Sequence, residues 1–328
     1  MKRYLVLLSL LGIFFAQCIG VANCAADEKI ILKSTDVHGE GYPTVEAVKF
    51  MGDLLTKWTN GRISIEVYSG GKLGGESETL EQTRLGYMDM TRVSLGPIGA
   101  YAPGLNAFNL PFVFRSVEHM HKVVDGEIGT SLLFQLEKGD LVGLCYLDSG
   151  SRSFYNKQRP IKVPSDMKGL TFRVMDNPIF VEMVEALGGK AVKLPYTQIY
   201  DSIKSGAVDG AENNPPTFWT QKHYEVTDYF SMTEHLIVPE ILVFSKKKWD
   251  TLSLTDRLLV RKASFECVRK ERELWQIQEK DAINKLKGVG YKIIKDVNKQ
   301  PFIQATQSLR EKFGAEHAEL LKKIDEVK

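Results

Sequence analysis

The sequence predicts an α/β fold in two domains, and three observations carry that expectation. Residues 29–93 alternate strand and helix patterns in β-α-β-α-β order, which is how a mainly parallel sheet covered by helices reads. A second α/β unit begins near residue 170, with strands and helices of its own. The length, 328 residues, exceeds what one compact core usually holds.

The N-terminus reads as an export signal over residues 1–26. Lys2 and Arg3 form a basic start, Leu5 to Ala16 an apolar stretch, and Asn23-Cys24-Ala25-Ala26 a small-residue site before Asp27. The apolar stretch is too short for a membrane span and lacks a stop-transfer flank. Cleavage is expected near Ala25 or Ala26. Lipidation of Cys24 is the competing reading, although Asn23 is a poor residue before a lipidated cysteine. Lys+Arg total 43 against Asp+Glu 41, and the excess of two is Lys2 and Arg3. A neutral mature chain excludes a nucleic-acid footprint or a polybasic membrane patch. Cys145 and Cys267 remain outside the signal. They lie far apart in an apolar strand and a helix, as buried free thiols rather than a disulfide framework.

Lys29 to Lys33 reads as the first strand, leading into the polar loop Asp36 to Gly41. Pro43-Thr44 opens a helix that Asn60-Gly61 closes. Ile63, Ile65 and Val67 alternate as the next strand. Glu76 to Leu85 is a helix ending at Gly86, and Met88 to Val93 a strand. Ligands of such sheets lie beyond the carboxyl ends of the strands, where Asp36, His38, Glu76 and Arg92 fall. Pro111 makes Asn109 to Phe114 an unlikely central strand. Ser116 caps a helix over 117–124, and Leu141 to Leu147 is an apolar strand. The small residues around Gly150 suit a crossing between domains. Helices are expected over 178–187 and 198–204, a strand-to-loop edge over 208–216, and a strand over 237–244 interrupted by Pro239. Ser253 to Asp256 resembles a capping box that starts a helix reaching about Lys287, roughly 48 Å long. Its apolar face changes along its length, which would let it contact both domains. A short strand over 291–294 and two helical pieces finish the chain.

Pro164 to Val174 draws attention for its chemistry. Pro164-Ser165-Asp166 opens a short helical turn that Gly169 ends, and Leu170, Phe172 and Val174 then alternate with Thr171 and Arg173. The alternation sets Arg173 on the face opposite three apolar residues. A guanidinium on a rigid strand can fork onto a carboxylate with two parallel hydrogen bonds. Arg152 follows the domain crossing, and Asn213 ends a later strand with an amide that both donates and accepts. Other chemistries lack their motifs. There is no dinucleotide or Walker fingerprint and no nucleophile elbow, and Gly70 to Gly75 reads as a tight turn. His119 and His121, two apart on a helix, do not share a face. No metal site and no cofactor are expected.

Taken together, the motifs resemble the solute-binding proteins of TRAP transporters, the tripartite ATP-independent periplasmic uptake systems. The matching segments are Gly74-Gly75-Glu76, Asn109 to Phe114, Ser149 to Arg152, Pro164 to Val174 and Val208 to Asn213. The resemblance implies a two-lobed periplasmic binding protein of type II-like α/β fold, with crossing strands and a long helix spanning both lobes. Lobe I would comprise 27–148 plus about 236–270, and lobe II 149–235 plus about 271–328. By the same resemblance Arg173 is the carboxylate-binding arginine, and Arg152 and Asn213 are the further polar anchors. The chain is most similar to the branch that binds hexuronates. His38 followed by Tyr42-Pro43-Thr44, Asp89 to Arg92, Arg152 to Asn156 including Tyr155, and Asn213-Asn214 carry that likeness.

The expectation is a periplasmic, monomeric, non-enzymatic protein that captures D-glucuronate or D-galacturonate and hands it to TRAP membrane permease subunits, without nucleic acid. Arg173, Arg152 and Asn213 would clamp the carboxylate, with His38, Glu76 and Arg92 holding hydroxyls and Asn214 and Tyr155 nearby. The alternatives are a binder of another small carboxylate (a C4-dicarboxylate, an aldonate or an aromatic acid), an exported enzyme using Glu76, Glu212 and His38 as acid/base groups, and a ligand-presenting partner of a sensor.

Overall fold

The computed structural model describes residues 28–328. The expected export signal, its cleavage site, Cys18 and Cys24 lie outside the described residues. Two sheets organise the rest. The first contains β1 (Ile30–Thr35), β2 (Ile63–Tyr68), β3 (Met90–Ser94), β4 (Leu141–Leu147) and, from late in the chain, a strand at Glu240–Ser245. The second contains β5 (Ser151–Asn156), β6 (Thr171–Val174), β7 (Lys190–Lys193), β8 (Gly210–Asn213) and β9 (Tyr229–Ile237). Numbering the Glu240–Ser245 strand β10 and Lys292–Ile294 β11, the sheet orders are β2-β1-β3-β10-β4 and β11-β9-β5-β8-β6-β7.

Each sheet is parallel where the chain crosses over through helices and antiparallel where it passes between lobes. β1 pairs parallel with β2 and β3, and β6 pairs parallel with β7 and β8. β10 runs antiparallel to β3 and β4, and β5 antiparallel to β8 and β9. The chain changes sheet three times, twice directly from strand to strand and once through the long helix between β10 and β11. β4 leads through Asp148-Ser149-Gly150 into β5, and β9 leads through Val238-Pro239 into β10. The expected single strand over 237–244 is therefore two strands in two sheets. Pro239 has no amide hydrogen to offer a ladder, so pairing breaks there and the chain switches partners. β5, β7 and β9 also carry no expectation from the sequence.

The helix Leu254–Gly288, capped by the Ser253 hydroxyl accepting from the Asp256 amide at 3.1 Å, packs on the first-lobe helix Pro43–Trp58 and on the second-lobe helix Pro215–Thr220. It bridges the lobes, as its changing apolar face leads one to expect. Cys145 and Cys267 are buried free thiols. No helix among the described residues is long and apolar enough to cross a membrane.

Two glycines are needed where the backbones crowd. Gly150 sits at φ +56 in the crossing, and a β-carbon there would press on Glu279 and the Trp275 ring. Gly210 begins β8 against β5, and a β-carbon there would collide with the Tyr155 carbonyl oxygen. Gly210→Ala should lower the unfolding free energy by about 1–3 kcal/mol, the usual cost of overpacking. Urea denaturation measures this, and an unchanged midpoint would mean the strands yield freely.

Candidate functional site

The two sheets present opposite walls to one interior chamber. His38, Glu76, Ser94 and Glu240 line it from the first lobe, and Arg152, Arg173, Met175, Tyr196 and Asn213 from the second. These residues lie at or follow the carboxyl ends of β1, β3, β6, β7 and β8, start the helix Glu76–Leu85, or flank the two crossings. The chamber has about 270 Å³ of atom-free space, most of it in gaps narrower than a water molecule. Glu76, Arg173, Met175 and Tyr196 also line a wider outer cleft with Gly71, Pro195 and Thr197. The lobes are closed over the chamber. Asn177 donates to the Gly96 carbonyl at 2.9 Å, and the hydroxyls of Tyr42 and Thr217 meet at 2.9 Å.

Three buried arginines define the electrostatics. Arg152 donates from Nε and Nη2 to the Glu212 carboxylate at 2.6 and 2.8 Å, and from Nη1 to Asn213 Oδ1 at 3.0 Å. Burial opposes its charge, but Glu212 outweighs burial and holds the guanidinium above its ordinary value. Arg92, with no exposed side chain, meets the carboxylates of Asp36, Glu76 and Glu240. Burial of Asp36 is likewise overcome by Arg92 and His38, which hold its carboxyl well below the usual range.

Arg173 differs. It is 4% exposed, and its hydrogen bond among the described residues runs from Nε to the Leu194 carbonyl at 2.8 Å. No carboxylate lies within ion-pair distance of it among the described residues. Burial pushes its guanidinium below the ordinary value; Glu212 offsets part of this and Arg152 adds to it. A desolvated cation whose two terminal nitrogens lack partners is a receptor for an anion.

The first-lobe wall offers the complement. Glu76 Oε1 accepts from Arg92 at 2.6 Å and from the Ser94 amide at 3.0 Å, leaving Oε2 without a partner among the described residues. Glu240 Oε1 has only the Ser94 hydroxyl at 3.3 Å. His38 Nδ1 lies 2.6 Å from Arg92 Nη2, which can only donate, and 3.0 Å from Asp36 Oδ1, which can only accept, so its two neighbours favour opposite tautomers while Nε2 faces neither. The imidazole stacks on Tyr42 at 3.8 Å and meets Tyr196 edge-on at 5.1 Å. The Tyr196 hydroxyl is buried without a partner.

Of the eight residues expected at the site, Arg173, Arg152, Asn213, His38 and Glu76 line the chamber. The other three stand behind it. Arg92 is fully buried and paired with the carboxylates of Asp36, Glu76 and Glu240. Tyr155 bonds His223 Nδ1 at 2.8 Å inside the second lobe. Asn214 caps the helix Pro215–Thr220 by accepting from the Thr217 amide at 2.7 Å. Ser94, Met175, Tyr196 and Glu240 are the lining residues that sequence reasoning missed. The Pro239 that precedes Glu240 is the local signal for that residue, because it marks the strand start that aims Glu240 inward. Glu212 holds Arg152 instead of being free for acid/base work. His119 takes the Ile324 carbonyl and His121 takes Asp148, on different faces. No group of three or more acidic, histidine or cysteine side chains among the described residues forms a metal site.

Residues 34–317 match the family model described as bacterial extracellular solute-binding protein, family 7. A solute-binding protein of Chromohalobacter salexigens is 36% identical over 292 residues, covering 89% of this chain and 87% of that protein. A TRAP periplasmic solute-binding protein from Pseudomonas putida F1, solved with bound D-glucuronate, has TM-score 0.89 and 42% identity, covering 91% and 98% of the two chains. A third such protein, from Citrobacter koseri, is solved in two states. With bound D-glucuronate it has TM-score 0.88 and 36% identity over 91% of this chain and 99% of that one. As an apo, open structure it has TM-score 0.81 and 35% identity over 90% and 98%. The arrangement of this chain is nearer the liganded state.

Buried neutral histidines make stability depend on pH. Burial lowers His223 to about 3 and takes His235 well below its ordinary value. Unfolded, both would take up protons below about pH 6.5. Their contribution is therefore full above that pH and is lost as pH falls toward 3. Urea unfolding at stepped pH should give a midpoint that declines from pH 6.5 downward; a flat profile to pH 4 would contradict the burial of neutral imidazoles.

Proposed function

Since the chain belongs to the family 7 bacterial extracellular solute-binding proteins, we propose that it captures a hexuronate, D-glucuronate or D-galacturonate, and delivers it to the permease subunits of a TRAP transporter. Proteins of this family are the periplasmic substrate-binding components of such transporters and not enzymes. The site matches that role in kind: its lining supplies fixed donors and acceptors, while its acid/base candidates are tied up in ion pairs.

The observation that carries the reading is Arg173, a buried guanidinium with both terminal nitrogens free. The ligand carboxylate docks there bidentately, and Asn213, held by Arg152, lies beside it on the same wall. The sugar hydroxyls meet Glu76 Oε2, His38 Nε2 and the Tyr196 hydroxyl. Bound D-glucuronate in the P. putida relative supports the ligand class. Because the chamber is narrow when closed, a sugar ring enters only when the lobes part and reclose. The two crossings, Asp148–Gly150 and Val238–Pro239, are the places for that motion, with the lobes divided as 27–148 plus about 236–270 and 149–235 plus about 271–328. The protein acts as a periplasmic monomer in this reading.

Calorimetric titration tests it. Wild type should bind D-glucuronate or D-galacturonate, and Arg173→Ala should weaken binding by about 2–5 kcal/mol, as for a buried charged hydrogen-bonded pair losing one partner. Equal affinities in the two proteins would remove Arg173 from the site, and no heat with either uronate would reject the ligand class.

A further inference from the structure

The chamber is charged unequally from end to end, and that asymmetry bears on which acids it accepts. At the second-lobe end Arg173 carries a positive charge without a paired carboxylate, while Arg152 is neutralised by Glu212. At the first-lobe end three carboxylates, Asp36, Glu76 and Glu240, face a single cation, Arg92. That end keeps an excess of negative charge, with Glu76 and Glu240 on the chamber surface. Their available oxygens, Glu76 Oε2 and Glu240 Oε1, can only accept hydrogen bonds when ionised. The acidic cluster does not stand alone as evidence of a ligand: Arg173 is 96% buried and aimed into the same space, and the unpartnered Tyr196 hydroxyl lines it too.

We propose that Glu76 and Glu240 form an anion-excluding wall, so that the protein selects acids with one carboxylate and a hydroxyl-bearing far end and rejects those carrying a second carboxylate there. This rests on the hexuronate reading and sharpens it. A uronate anchored at Arg173 presents hydroxyl donors to the wall, and each finds an acceptor. An aldarate, the same carbon chain oxidised at both ends, presents a second carboxylate to Glu76 and Glu240. Neither side then has a proton to share, and two like charges meet in a desolvated space. Arg92 cannot relieve the clash, because its guanidinium already serves three carboxylates. Arg173 cannot either, because it holds the first carboxylate.

The test is a calorimetric comparison of D-glucuronate, D-gluconate and D-glucarate on wild type, Glu76→Gln and Glu240→Gln. Gluconate and glucarate differ only in the terminal carboxylate. Wild type should prefer glucuronate over glucarate by at least about 100-fold, and each glutamine variant should shrink that ratio by about ten-fold or more through tighter glucarate binding. Selectivity set by ring shape alone would leave the ratio unmoved in both variants, and that result overturns the proposal while the hexuronate reading stands. Wild type accepting glucarate within ten-fold of glucuronate does the same. Should glucuronate fail and D-galacturonate bind, the hexuronate reading stands and galacturonate takes the place of glucuronate in the ratio. Should both uronates fail and gluconate succeed, the hexuronate reading falls and gluconate against glucarate decides the wall. Binding of none of the three monocarboxylates overturns both. Glu76 is the less buried of the pair, so Glu76→Gln decides the matter if Glu240→Gln does not fold.

Discussion

Everything about this site turns on one guanidinium held out of water without an anion. Desolvating a charge costs several kcal/mol even after relaxation, and folded chains normally offset that by pairing it. This chain does so for Arg92, with three carboxylates, and for Arg152, with Glu212. It does not do so for Arg173. The strand pairings of β6 on both sides and the Nε contact to Leu194 fix the side chain where it is. Phe172 and Val174 on the opposite face are fully buried in the core and hold the strand down. In the proposed function, the cost stays in the unliganded protein and is relieved when a carboxylate arrives.

The architecture makes such a site reachable. Two sheets joined through the β4–β5 and β9–β10 crossings and the helix Leu254–Gly288, with each ladder confined to its own sheet, can separate without breaking either ladder. Polar contacts between the lobes include Asn177 to Gly96 and Asn106, Tyr42 to Thr217, the Phe112 amide to the His235 carbonyl and His119 to the Ile324 carbonyl, hydrogen bonds of about 1 kcal/mol each. Both walls reach the chamber through strand ends, so the side chains that would meet the ligand move as rigid groups with their lobes. Closure then brings the cationic end and the acidic end together around whatever lies between.

The legibility of this arrangement in the sequence divides along physical lines. Local patterns were readable: the alternation around Arg173, the cap at Ser253, and the Pro43–Trp58 and Glu76–Leu85 helices all occur where their residues put them. Strands that adjoin the crossings and pair with partners far along the chain were not. β9 has no clean alternation, because its residues face different neighbours along its length, and β5 begins in a stretch whose small residues also suit a crossing. Partner choice was the least visible feature. Nothing local to Arg92 reveals that Asp36 and Glu240, 56 and 148 residues away, converge on it. Glu240 was hidden for the same reason, as an acid opening an apolar run after a proline.

The most direct measurement is a crystal structure of the protein with D-glucuronate. The account predicts the ligand carboxylate forked on the two terminal nitrogens of Arg173, at hydrogen-bond distance from both, with the ring hydroxyls toward Glu76 and Glu240. A ligand seated with its carboxylate elsewhere, and Arg173 still without an anion, would contradict it.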